Sequence, residues 1–141
     1  MPDLSQYATQ AQLALYGGLH ASVLGSITGT DQDAYLQAAT KIVKSYLAAR
    51  ASGTIEAVGL DVVVATCKLA GWSILTDKVG FNPSTVGHQA LSLDVDRTRS
   101  WLKDVAAGRA VAEFTDDTPD VTEGTAEVYT EPMRGWGDEL P

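Results

Sequence analysis

Ser100-Trp101-Leu102-Lys103-Asp104-Val105-Ala106-Ala107-Gly108-Arg109 is the stretch that decides how this chain folds, because it closes one kind of sequence and opens another. Upstream of it, Leu91, Val95, Thr98, Leu102 and Val105 recur at steps of four, three, four and three, the spacing of one side of an α-helix. Asp96, Arg97, Arg99, Ser100, Lys103 and Asp104 fall mostly on the other side. Trp101 borders the apolar stripe, so its ring can cover either the core or a neighbouring subunit. Gly108 then supplies the left-handed residue that commonly ends a helix, and Arg109 adds positive charge near the negative end of the dipole.

Working back from this helix, Asn82-Pro83 reads as its start, with Asn82 as cap and Pro83 in the first turn, although Gly87 and His88 weaken that turn. Before it, Leu60 to Thr76 is the most apolar part of the chain. The run is too short and carries too much charge, Asp61 and Lys68, for a membrane span. Val62-Val63-Val64 has strand propensity, but Val62, Ala65, Leu69, Trp72 and Leu75 or Thr76 recur at helical steps. This predicts the central, most buried helix, with Trp72 in the core. Gly71 inside it costs about 1 kcal/mol relative to Ala, which predicts close packing of another helix against that position.

Further upstream, Thr30 or Asp31 caps a long helix whose apolar side is Tyr35, Ala39, Ile42, Val43, Tyr46, Leu47 and Ala49, closed by Arg50 before Gly53. Thr9 and Gln12 form a capping box for a short helix stopped by Gly17-Gly18. Leu19 to Gly29 reads as a packed connection. The fold class is therefore all-α: a small body over residues 1–108 with four principal helices near 9–16, 31–51, 60–76 and 84–107.

Downstream of Gly108 the chain changes to an acidic, Pro- and Gly-punctuated arm over residues 109–141, extended and able to carry short β-strands around Val111 and Phe114 and around Val128 and Tyr129. Residues 1–108 hold eight Lys or Arg and nine Asp or Glu, and residues 109–141 hold two and nine, so nearly all of the net charge of −8 lies in the arm. That distribution argues against a nucleic-acid-binding face, which needs clustered positive charge. Phe114, Tyr129, Met133 and Trp136, with Arg134 beside the last, read as anchors for a partner. Trp101, Arg109, Phe114, Tyr129, Met133, Arg134 and Trp136 are the candidate interaction residues.

No catalytic set emerges. His20 and His88 are not spaced as metal ligands, and no phosphate-binding glycine loop occurs. The acid pairs Asp31 and Asp33, Asp94 and Asp96, and Asp116 and Asp117 lie on helix starts, an exposed side and the arm, not in a shared pocket. Cys67 is the single cysteine and sits in an apolar run, as a small buried hydrophobe would. Met1-Pro2-Asp3-Leu4-Ser5 lacks the regions of a signal peptide, which predicts synthesis in the cytoplasm. The expectation is a protein without catalytic residues, metal or cofactor.

Trp101-Leu102-Lys103-Asp104-Val105-Ala106-Ala107-Gly108 at the end of such a body resembles the Mu-type phage head-tail connector family. Tyr7-Ala8-Thr9 leading into Leu13 and Tyr16-Gly17 is similar to that family's opening, and Ser45-Tyr46-Leu47-Ala48-Ala49-Arg50 to its second-helix signature. The resemblance covers roughly residues 5–109. Lys44 stands where the family usually has an acid, and Val95 and Arg99 where an aromatic and an aliphatic residue are usual. The resemblance implies a virion structural protein at the neck: a homo-oligomeric ring, twelvefold to match a portal, held between the portal and a tail or tail-terminator protein. DNA would pass through the channel without specific binding, and no membrane would be involved. The same composition also fits a helical adaptor or regulator that binds a single protein partner through its acidic arm.

Overall fold

The computed structural model describes residues 4–116. They form helices α1 (Gln10–Tyr16), α2 (Ala21–Gly25), α3 (Gly29–Leu47), α4 (Leu60–Ile74) and α5 (Val86–Ala106), with strands β1 (Ile55–Val58) and β2 (Phe114–Asp116). The body is helical, as the periodicities predict.

The apolar run at Leu60 forms α4, and α1, α3 and α5 all pack against it. Nine of its residues are buried, among them Val62, Val63, Cys67, Leu69 and Ile74. The hydroxyl of Thr66, buried with them, donates to the Val62 carbonyl at 2.9 Å, so that hydroxyl is satisfied within the helix. A π-type turn, Leu75–Val79, ends the rod where Gly80 takes a φ of 92° and its N–H reaches the Leu75 carbonyl at 2.7 Å. Trp72, expected in the core, lies half-buried at its margin, its ring 5.5 Å from that of Phe81. Its helical step is right. The loop after α4, rather than another helix, covers that side.

On α5, Leu91, Val95, Leu102 and Val105 are buried as the stripe requires. The helix ends as expected: Gly108 has a φ of 84°, and its N–H donates to the Val105 carbonyl at 3.0 Å while that of Arg109 reaches Asp104 at 2.8 Å. Its start differs. Asn82 does not cap α5; its side-chain oxygen accepts from Ser84 N–H at 2.9 Å inside a turn that places Pro83 second, and the helix begins three residues later than this turn's proline, after Thr85.

α1 carries the Thr9–Gln12 capping box. α3 is capped by Thr28, not by Thr30 or Asp31, its hydroxyl accepting from Asp31 N–H at 3.1 Å, and it ends at Leu47 rather than near residue 51. Its buried side is Leu36, Ala39, Thr40, Val43 and Leu47; Ile42 and Ala49 face outward, and Tyr35 and Tyr46 are half-buried. Thr40 joins the segment before α1 to the core, accepting from Tyr7 N–H at 2.9 Å and donating to the Leu36 carbonyl at 2.7 Å. Lys44 completes the attachment by donating to the Leu4 carbonyl at 2.7 Å, with its ammonium 5.8 Å from the centre of the Tyr7 ring. An acid at that position could make neither contact.

β1 and β2 pair antiparallel, Val58 opposite Phe114 and Ala57 opposite Thr115, with a bulge before Ile55 meets Asp116. Two further ties flank the ribbon: Ser52 N–H donates to the Asp116 carboxylate at 2.9 Å, and Gly59 N–H donates to the Glu113 carbonyl at 2.8 Å. Ala110, Ala112 and Phe114 pack against the core. Residues 109–116, read from the sequence as the start of the arm, therefore belong to the body. Tyr129, Met133, Arg134 and Trp136, and the strand expected around Val128, lie outside the described residues.

Candidate interaction surface

The first turns of α4 and the C-terminal half of α5 leave an open groove between them, about 510 Å³ in volume, lined by Leu60, Asp61, Val64, Ala65, Arg97, Thr98 and Trp101. Helical spacing makes it. Leu60 and Val64 lie four apart on α4, and Arg97 and Trp101 four apart on α5, so each pair shares a side adjacent to, but not within, the buried stripe. Leu60 is 58% exposed and Trp101 is half-buried, which makes the groove floor a solvent-facing apolar surface.

Its polar groups are unequal. The Asp61 carboxylate is held in place by backbone, accepting from Val62 N–H at 2.8 Å and from Glu113 N–H at 3.0 Å. Thr98 turns its hydroxyl back to the Asp94 carbonyl at 2.8 Å. Arg97 stands on the rim with 78% of its side chain exposed, 3.9 Å from one oxygen of Asp94, whose other oxygen is held by Lys68 at 3.2 Å. A ligand would meet two charges in this groove, that guanidinium on the rim and the Asp61 carboxylate on the opposite wall.

Of the sequence-derived candidates, Trp101 lines this groove. Arg109 is turned back onto its own helix, its Nε and Nη2 donating to Asp104 at 3.1 and 3.0 Å. Phe114 is half-buried within the β1–β2 ribbon, so it anchors the body itself. The other four candidates, Tyr129, Met133, Arg134 and Trp136, fall beyond residue 116. Sequence reasoning passed over Leu60, Val64 and Arg97. The available signal was that Leu60 and Val64 sit off the Val62–Ala65–Leu69 stripe, and that Arg97 and Trp101 share one side of their helix.

A second, smaller cavity brings the two histidines together. It measures about 230 Å³ and is lined by His20 and His88 with Leu19, Val23, Leu75 and Leu91 among others. Each ring nitrogen Nδ1 already accepts from a backbone N–H: His20 from Ser22 at 3.2 Å, capping α2, and His88 from Asn82 at 3.0 Å. His20, which the sequence left without a role, is thus a helix cap. Among the described residues no group of three His, Cys, Asp or Glu is placed to hold a metal ion, and no helix is long and apolar enough to cross a membrane. Comparison with family models, with curated proteins and with solved structures gives no match.

Proposed function

We propose that this chain is a subunit of a phage head-tail connector, a ring seated between the portal and a tail or tail-terminator protein through which DNA passes. The reading starts from the resemblance of residues 5–109 to the Mu-type family. The structural observation that supports it is that exposed aliphatic side chains stand on several different helices of the body. Leu15 (74% exposed) and Ile42 (48%) lie on α1 and α3, while Val86 (79%) and Leu93 (56%) lie on α5. A closed ring built by head-to-tail rotation needs two distinct surfaces per subunit, one meeting the other on the next copy. A two-fold dimer would need only one. The net charge of −8 supports a channel that does not hold DNA, since acids outnumber bases in both parts of the chain and a DNA-binding face needs clustered positive charge.

Aspartate on either helix tests this. Ile42→Asp and Leu93→Asp introduce a charge at positions already exposed, so each monomer should fold with little change in helicity while ring formation is lost. Rings that form unaltered with both variants would overturn the proposed contact.

A further inference from the structure

We infer that the groove between Leu60 and Trp101 is the seat of this chain's own C-terminal aromatic segment, Tyr129 to Trp136. The inference does not rest on the connector reading.

Three observations point to that occupant. The first is continuity. Asp61, one wall of the groove, holds Glu113 N–H at 3.0 Å, so the chain runs along the groove's edge just before it passes Asp116. The second is reach. Trp136 lies twenty positions after Asp116, which at roughly 3.3 Å per residue can span about 65 Å. A body of this length has a radius of gyration of about 13 Å, so no part of the groove is out of range. The third is chemical complementarity. The groove offers an apolar floor of Leu60, Val64, Ala65 and Trp101 with the Arg97 guanidinium on its rim. The segment offers Tyr129, Met133 and Trp136 with Glu131 and Arg134 between them, and Glu127, Asp138 and Glu139 flank it. An aromatic side chain on the floor and a carboxylate at Arg97 satisfy both. The volume of about 510 Å³ lies within the roughly 300–1,000 Å³ of sites that take compact ligands.

A segment tethered to the same body competes at an effective concentration in the millimolar range, so it would occupy the groove ahead of a second copy in dilute solution. Any other protein that uses this groove must then displace the segment. Trp101 is thereby given a role in the free subunit: it forms one side of the seat.

Engineered cysteines in the full chain test the placement. Cys67 is fully buried and burial pushes its thiol up to about 11, so it leaves a quiet background for mild oxidation at neutral pH. The chain carrying Leu60→Cys and Gly137→Cys should form an intrachain disulfide at low micromolar concentration, identified by mass spectrometry of the cleaved protein. A control with Ala38→Cys, exposed on α3, in place of Leu60→Cys should cross-link at least tenfold more slowly. Adding Trp136→Ala, or Arg97→Glu, to the first pair should slow its cross-linking at least fivefold. Mixing the protein with an isotope-labelled copy separates links within one chain from links between chains. Equal rates at positions 60 and 38, insensitivity to both added substitutions, or links found only between copies would each overturn the assignment.

Discussion

The carbonyl of Gly17 occupies the space in which a β-carbon on Gly71 would stand. The end of α1 therefore meets α4 backbone to backbone, at the most buried helix of the body. Gly71→Ala gains about 1 kcal/mol of helix propensity, but here it forces the two helices apart. The net expectation is a loss of about 1–3 kcal/mol in urea unfolding. Gly87→Ala is the contrast, since a β-carbon there meets nothing within 4 Å on helix α5. It should be neutral or stabilising by up to about 1 kcal/mol. Equal effects of the two substitutions would contradict the close approach.

Leu102 is fully buried on α5, next in sequence to the half-buried Trp101. Leu102→Ala should destabilise by about 2–5 kcal/mol. Trp101→Ala should cost less in folding, because one side of its ring faces the groove. Thermal melts of the two variants in parallel check the ordering.

The helices were legible because their signals are local. The Leu91–Val95–Leu102–Val105 stripe, the Thr9–Gln12 box and Gly108 each act within a few residues of one another, and even Gly71 announced a close neighbour. β1 was not legible. Ile55-Glu56-Ala57-Val58 is four residues long, and its partner begins at Phe114, more than fifty positions away. The same pairing explains why residues 109–116 read as an arm: their composition is that of a tail, and only the nonlocal contacts to Ser52, Gly59 and Asp61 make them body. The groove failed for another reason. Leu60 and Val64 sit in an apolar run that periodicity assigns to the interior, and which side of α4 stays uncovered is set by how α5 packs on it.

Those contacts give the strand ribbon a measurable weight. A chain ended after Asp116 keeps β2 and the Asp61–Glu113 tie, and one ended after Arg109 loses both, with the core packing of Ala110, Ala112 and Phe114. The shorter chain should be less stable than the longer by about 2 kcal/mol or more, the scale of burying a large apolar side chain. Identical unfolding curves would return residues 110–116 to the arm.

Burial raises the Cys67 thiol from 9.0 to about 11, with Lys68 pulling it the other way. The folded chain thus keeps its proton to higher pH than the unfolded one. This contribution to stability is full below about pH 9 and falls as the pH rises toward about 11. Cys67→Ala removes that dependence. Between about pH 7.5 and about pH 10.5 the parent should lose about 1–2 kcal/mol more than the variant in urea unfolding. Parallel losses would mean that the thiol is not sequestered.

Electron microscopy of the full chain mixed with a phage portal protein encoded in the same genome tests the proposed function most directly. The account predicts a closed ring of copies coaxial with the portal, with an open central channel, and no ring when the chain carries Leu93→Asp. Portals that stay bare at saturating concentrations of the unaltered chain, or that bind it as scattered single copies, would contradict it.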